Sequence, residues 1–149
     1  NVANLVPALE HPDASVGAAL EYAVVHLKVP HIIVCGHLGC GGVAAALAGT
    51  AGMTEEEASL KEWLAELAPV ASEVQARGLS GDEALRWAVE ENVLRQLDNL
   101  LTFPAVRRRL DAGDLTLHGW VYDLYSLALS VYDVEEDRFV AATALAPPA

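Results

Sequence analysis

His31-Ile32-Ile33-Val34-Cys35-Gly36-His37-Leu38-Gly39-Cys40-Gly41-Gly42-Val43 is the stretch on which the fold turns. Its first five residues are a β-branched run that follows Pro30 and stops at Gly36. Apolar character without alternation suits a strand buried on both faces, as in a parallel sheet. The glycines that follow permit a tight turn, and Val43 to Leu47 read as the first turns of a helix. Strand, glycine turn and helix start in this order mark an α/β unit, and ligand sites in such sheets form at the carboxyl ends of strands.

Working outward, Asp13 or Ser15 can cap a helix carrying Val16, Ala19, Leu20, Ala23, Val24 and Leu27 as one buried stripe. Thr54 and Glu57 make a capping-box pattern for a helix with Leu60, Trp63, Leu64 and Leu67 inside, which Pro69 bends or interrupts and Gly78 ends. Ser80 and Glu83 repeat the box for a third helix with Leu85, Ala88, Val89, Val93, Leu97 and Leu100 on its apolar side. Pro104 opens a short helix that stops near Gly113. From Leu115 to Tyr122 the pattern changes to strand. Leu127 to Tyr132 and Arg138 to Ala142 read as further strands around the acidic turn Glu135-Glu136-Asp137. The expected fold is α/β, a mainly parallel central sheet flanked by helices.

Composition narrows the function classes. The chain has 149 residues, 53% hydrophobic and 20% charged, enough for the core of a single domain. Its formal charge of −12 argues against nucleic acid or an anionic membrane surface, both of which select clustered Lys and Arg. Arg107-Arg108-Arg109 reads as a solvated helix face. Val29 to Thr54 is 26 residues without a formal charge, but six glycines, Pro30, His31 and His37 break it, so no membrane span is expected. Two cysteines make no disulfide framework, which points to a reducing compartment. No N-terminal signal is visible.

Within the glycine turn, His37 and Cys40 are three residues apart, so an imidazole nitrogen and a sulfur can converge on one metal ion. Cys and His are preferred zinc ligands, and a helix start favours an anionic sulfur. H-x-x-C supplies two ligands where zinc takes four. From the residues alone, other readings stay open. The turn is equally explained as a tight connection with His37 hydrogen-bonded and Cys40 packed. A phosphate cradle is disfavoured by the order G-x-x-G-x-G and by the lack of an acidic residue about 20 positions on. A Cys35–Cys40 redox pair is weakest, because a strand should hold Cys35 buried and inert. Of the other candidates, His11 reads as solvated and His26 as a helix-end residue. His118 reads as packed in a strand, and Glu55, Glu56 and Glu57 as helix-start charges.

Asn1-Val2-Ala3-Asn4-Leu5-Val6, Gly17 to Val24, His31 to Val43 and Leu117-His118-Gly119-Trp120 together resemble, in order, segments of the β-class carbonic anhydrases. The resemblance runs over nearly the whole chain. It implies a zinc enzyme that interconverts carbon dioxide and bicarbonate by way of a zinc-bound hydroxide. His37 and Cys40 match the second and third ligands of that family's Cys, His, Cys set. Gly41 matches a position whose backbone lies by the substrate, and Val2 and Tyr22 match positions near the carbon dioxide pocket. The family's first cysteine and its Asp-Arg catalytic pair come from a C-x-D-x-R motif that this sequence does not contain. Cys35 is no substitute, since it precedes His37 by only two and matches a strand residue of the family.

The sequence opens with Asn1 where that family has R-N-x-x-N. Residues 1–149 are therefore expected to form one carbonic-anhydrase-like domain, incomplete at its N-terminus and lacking the opening helices and first strands. The resemblance further implies a homodimer or higher homo-oligomer, and a cytoplasmic, carboxysomal or plastid setting. A non-catalytic relative kept as a binding or assembly module is the competing reading, and a nucleotide-binding domain ranks below both.

Overall fold

The β-branched run forms strand β1 (His31–His37), which the computed structural model places at one edge of a four-stranded sheet. The structure describes residues 1–142. Before β1 come a short 3-10 turn at Val2–Asn4, helix α1 (Ala14–Glu21) and a π-helical turn at Tyr22–His26. Asp13 caps α1 as expected, its Oδ1 accepting from the Val16 N–H at 2.8 Å. After β1 come α2 (Gly41–Ala48), α3 (Ala58–Leu64), α4 (Ala68–Arg77), α5 (Gly81–Leu100) and α6 (Pro104–Asp111). Strands β2 (Thr116–Tyr122), β3 (Leu129–Asp133) and β4 (Arg138–Ala141) follow.

The signals for helix ends mostly act where they were read. Pro69 lies in the first turn of α4, with a 3-10 turn at Ala65–Leu67 separating it from α3, and Gly78 closes α4 at φ 68°. Glu57 accepts from the Thr54 N–H at 3.0 Å, but the Ser80–Glu83 box does not form: Ser80 precedes α5 without a side-chain cap. On α1 and the turn after it the expected stripe is only partly covered: Val24 is buried and Leu27 is exposed.

The strand order is β1-β2-β3-β4. The α/β class stands, with parallel pairing confined to β1 and β2, while β2–β3 and β3–β4 are antiparallel. The expectation of a mainly parallel sheet therefore gives way over most of these strands. Only the β1-to-β2 connection is long enough to carry crossover helices, whereas the later strands are joined by short hairpins, which produce antiparallel neighbours. In the first hairpin Leu127 takes φ 59°, a conformation that a glycine would adopt without strain.

Helix α5 packs across β1 and β2. It comes close because the strands present glycines: a Cβ on Gly36 would stand 2.9 Å from Val93 Cγ2, and one on Gly119 3.1 Å from Val93 Cγ1. Val93 is fully buried between them, with Val89, Val34 and Val121 around it in the core. The opposite face of β1 departs from the expectation of burial on both sides. His31, Ile33 and Cys35 are exposed, because among the described residues α5 covers one face of β1 and their side chains lie on the other. Cys35 is thus accessible rather than shut inside the sheet, although partial burial still pushes its thiol pKa up.

Candidate metal centre

The turn from β1 to α2 is built by backbone and glycine. Leu38 N–H donates to the Tyr122 carbonyl at 2.9 Å, carrying the β1–β2 ladder one residue past the strand. Gly39 then reverses the chain at φ 72°, a left-handed conformation that glycine adopts freely. Cys40 is the residue just before α2, and its carbonyl accepts from the Ala44 N–H at 2.9 Å. Its side chain is turned into the core and only 4% of the residue is exposed.

His37 ends β1 and is half-buried. Its Nδ1 lies 3.1 Å from the Leu38 carbonyl. In the tautomer in which Nδ1–H donates to that carbonyl, Nε2 carries a free lone pair, the usual arrangement of an imidazole that ligates metal. His37 and Cys40 thus sit on one turn at the carboxyl end of β1. Among the described residues, no group of three His, Cys, Asp or Glu side chains is placed to hold a metal ion. The donors present are of the types zinc prefers and make half of a four-coordinate set.

Of the other candidates, Gly41 and Val2 lie at this turn and Tyr22 does not. Gly41 opens α2 with open space where a side chain would project, whereas a Cβ on Gly42 would come within 2.8 Å of Val2 Cγ1. Val2 is thereby packed against the start of α2. Tyr22 stands on a different element, the π-helical turn before β1, where it is 59% exposed and its ring packs on His26 at 5.4 Å.

Val2 and the residues beside it are held in place by Trp63, read from sequence only as a residue on the inside of its helix, and by three amides of α5 that the sequence reading did not single out. Trp63 Nε1 donates to the Val2 carbonyl at 2.9 Å, and Asn92 Nδ2 donates to the Ala3 carbonyl at 2.8 Å. Gln96 donates to Asn92 Oδ1 and accepts from the Val6 N–H, both at 2.8 Å, and Asn99 donates to the Val6 carbonyl at 2.9 Å. Asn92 and Gln96 are buried polar side chains on α5, so their bonds to the 1–6 segment satisfy both partners. The signal available in the sequence was amides at positions 92, 96 and 99, one helical turn apart, next to the apolar side of α5.

A family model described as carbonic anhydrase matches residues 1–129. The fold superposes with a TM-score of 0.88 on a solved β-carbonic anhydrase, CcaA, at 37% identity, covering 95% of this chain and 69% of that one. The chain belongs to the β-class carbonic anhydrase family. A curated carbonic anhydrase from Synechocystis sp. is 37% identical over 143 residues, which are 95% of this chain and 52% of the relative. A tetrameric β-carbonic anhydrase of Sordaria macrospora matches with a TM-score of 0.70 at 29% identity, over 95% of this chain and 65% of that one. The chain thus spans 47% to 65% of the length of these and other curated carbonic anhydrases that it matches.

Proposed function

We propose that this chain supplies the His–Cys half of a zinc centre for the reversible hydration of carbon dioxide to bicarbonate and a proton. The reading rests on one observation: His37 and Cys40 stand on the β1–α2 turn of a chain that belongs to the carbonic anhydrases. When bound, Zn2+ lowers the pKa of a water so that a nucleophile is available near neutrality.

The chain's own residues prepare for this. The Leu38 carbonyl orients the His37 ring so that Nε2 faces away from the backbone, and burial shields the Cys40 sulfur from bulk water. Gly41 leaves backbone bare at the helix start, where a small substrate can approach. Val2, pinned over Gly42, gives that approach an apolar wall, and Tyr22 is assigned to the carbon dioxide pocket by the family resemblance alone. The third protein ligand and the Asp-Arg pair required by the resemblance come, in this reading, from sequence outside these 149 residues. The assembly is a homodimer or higher homo-oligomer in the cytoplasm, a carboxysome or a plastid. No described helix is long and apolar enough to cross a membrane.

The test is made on the polypeptide that contains this chain. One zinc per chain by elemental analysis and carbon dioxide hydration above buffer by stopped-flow indicator support the reading. Cys40→Ser and His37→Ala should each abolish both. Metal content well below one per chain, with no hydration, would instead support a non-catalytic scaffold.

A further inference from the structure

At the amino end of β1, His31 meets a second imidazole, His118 of β2, away from the His37–Cys40 turn. In the parallel β1–β2 pair, His31 stands opposite Thr116 and Ile33 opposite His118, so both histidines project from the face that α5 leaves open. Nε2 of His118 lies 3.2 Å from Nδ1 of His31, and the two rings tilt by 54°. A shared hydrogen bond explains this distance, and so does convergence on a cation. Two nitrogens each about 2.0–2.1 Å from one ion, at square-planar to tetrahedral angles, stand roughly 2.9–3.4 Å apart. Burial and the neighbouring His31 hold His118 below the ordinary histidine range, so that ring offers a lone pair at neutral pH.

The donor chemistry then selects the ion. Imidazole suits zinc, nickel and copper, and affinity for nitrogen donors rises towards copper along the first-row divalent series. Strand pairing sets the spacing of the two rings before any ion arrives, which reduces the ordering cost of binding. His31 is exposed, so solvent can complete the coordination.

We propose that His31 and His118 form a two-imidazole site for a divalent transition metal of the nickel–copper type, with water as the remaining ligands. It is separate from the His37–Cys40 turn, six residue steps along β1 and so roughly 20 Å away.

Nickel is the probe of choice, because copper would oxidise the accessible Cys35 on the same strand face. Titration of NiCl2 into the chain, followed by calorimetry and by paramagnetic broadening of amide signals, reads both affinity and place. Broadening is expected first around residues 31 and 118, before the signals around His37. His31→Gln and His118→Gln should each weaken nickel binding tenfold or more, with the far-ultraviolet circular dichroism unchanged. Gln at 31 can still hydrogen-bond to His118, so unchanged nickel affinity in H31Q would assign the pair to a hydrogen bond and overturn the site. Lack of nickel uptake at millimolar concentration, or broadening confined to His37, would overturn it as well. Since His31 is exposed, H31Q carries the test even where H118Q perturbs folding.

Discussion

Val34 and Gly36 point from β1 into the layer under α5, while His31, Ile33 and Cys35, alternating with them, point away from it. Both sets come from one uninterrupted strand sequence. On the α5 side a Cβ at 36 would stand 2.9 Å from Val93 and 3.2 Å from Val89; on the other side Ile33 is 44% exposed and the cysteine is accessible. The contrast shows that an apolar run specifies a strand but does not say how many faces are covered. Covering depends on what the rest of the fold stacks against each face, and here one helix does it for one face. The tightly packed face sets the position of the His37 turn, and the open face is where side-chain chemistry has room to vary.

The largest effect that would test this contrast is on the packed face. Gly36→Val should destabilise by about 2–3 kcal/mol, because its side chain drives into Val89 and Val93, and urea unfolding would measure it. A variant of wild-type stability would break the comparison. Val93→Ala should cost about 2 kcal/mol through lost burial and the cavity left behind. Paired with Gly36→Ala it should cost less than the sum of the two single changes, since the removed methyls make room for the added one. An additive double mutant would mean that α5 does not rest on Gly36.

On the open face, Cys35→Ser should change stability by less than about 0.5 kcal/mol. In the wild type a maleimide should label Cys35 well before Cys40, as peptide mapping of a partial reaction would reveal. Faster labelling of Cys40 would reverse the assignment of exposed and buried sulfur.

The smallest effect is a pH dependence. Burial and His31 hold His118 below the ordinary histidine pKa in the folded chain. The unfolded chain therefore takes up a proton first as pH falls. The resulting loss of stability begins near the ordinary value of about 6.5 and levels off below the lowered folded value. Thermal unfolding compared between about pH 8 and about pH 5 should show a smaller drop in Tm for H118Q than for the wild type. An equal drop would remove His118 from the account.

How much of this was readable in the residues depended on range. Asp13 at the start of α1, Pro69 and Gly78 around α4, Pro104 at α6 and the three later strands act through neighbours a few positions away, and local pattern showed them. Cys35 was misplaced because its exposure depends on which face of the sheet α5 covers, and that is invisible from β1 itself. Arg109 was read as part of a solvated run. It is instead largely enclosed, donating through Nη1 to the carbonyls of Val24 and Val29 at 3.2 and 2.9 Å and pairing with Asp114. Those carbonyls lie 80 or more positions away in sequence, beyond any periodicity. In the candidate site, His37 and Cys40 were legible because a strand, a glycine turn and a helix start place them. The amides that secure Val2 were not, since Asn92 and Gln96 have meaning only once the 1–6 segment lies across α5.

That segment gives the first six residues an unusual relation to time. The Val6 amide proton is bonded to the side chain of Gln96, and Leu5 beside it is 1% exposed. Segments outside long helices and sheets ordinarily exchange their amide hydrogens with solvent quickly, by local opening. Here Val6 can exchange only when Gln96 lets go, and Gln96 is buried on the helix that seats the sheet. The 1–6 segment should therefore keep its deuterium about as long as the core does, and an early loss of protection there would mark α5 itself coming away from the strands.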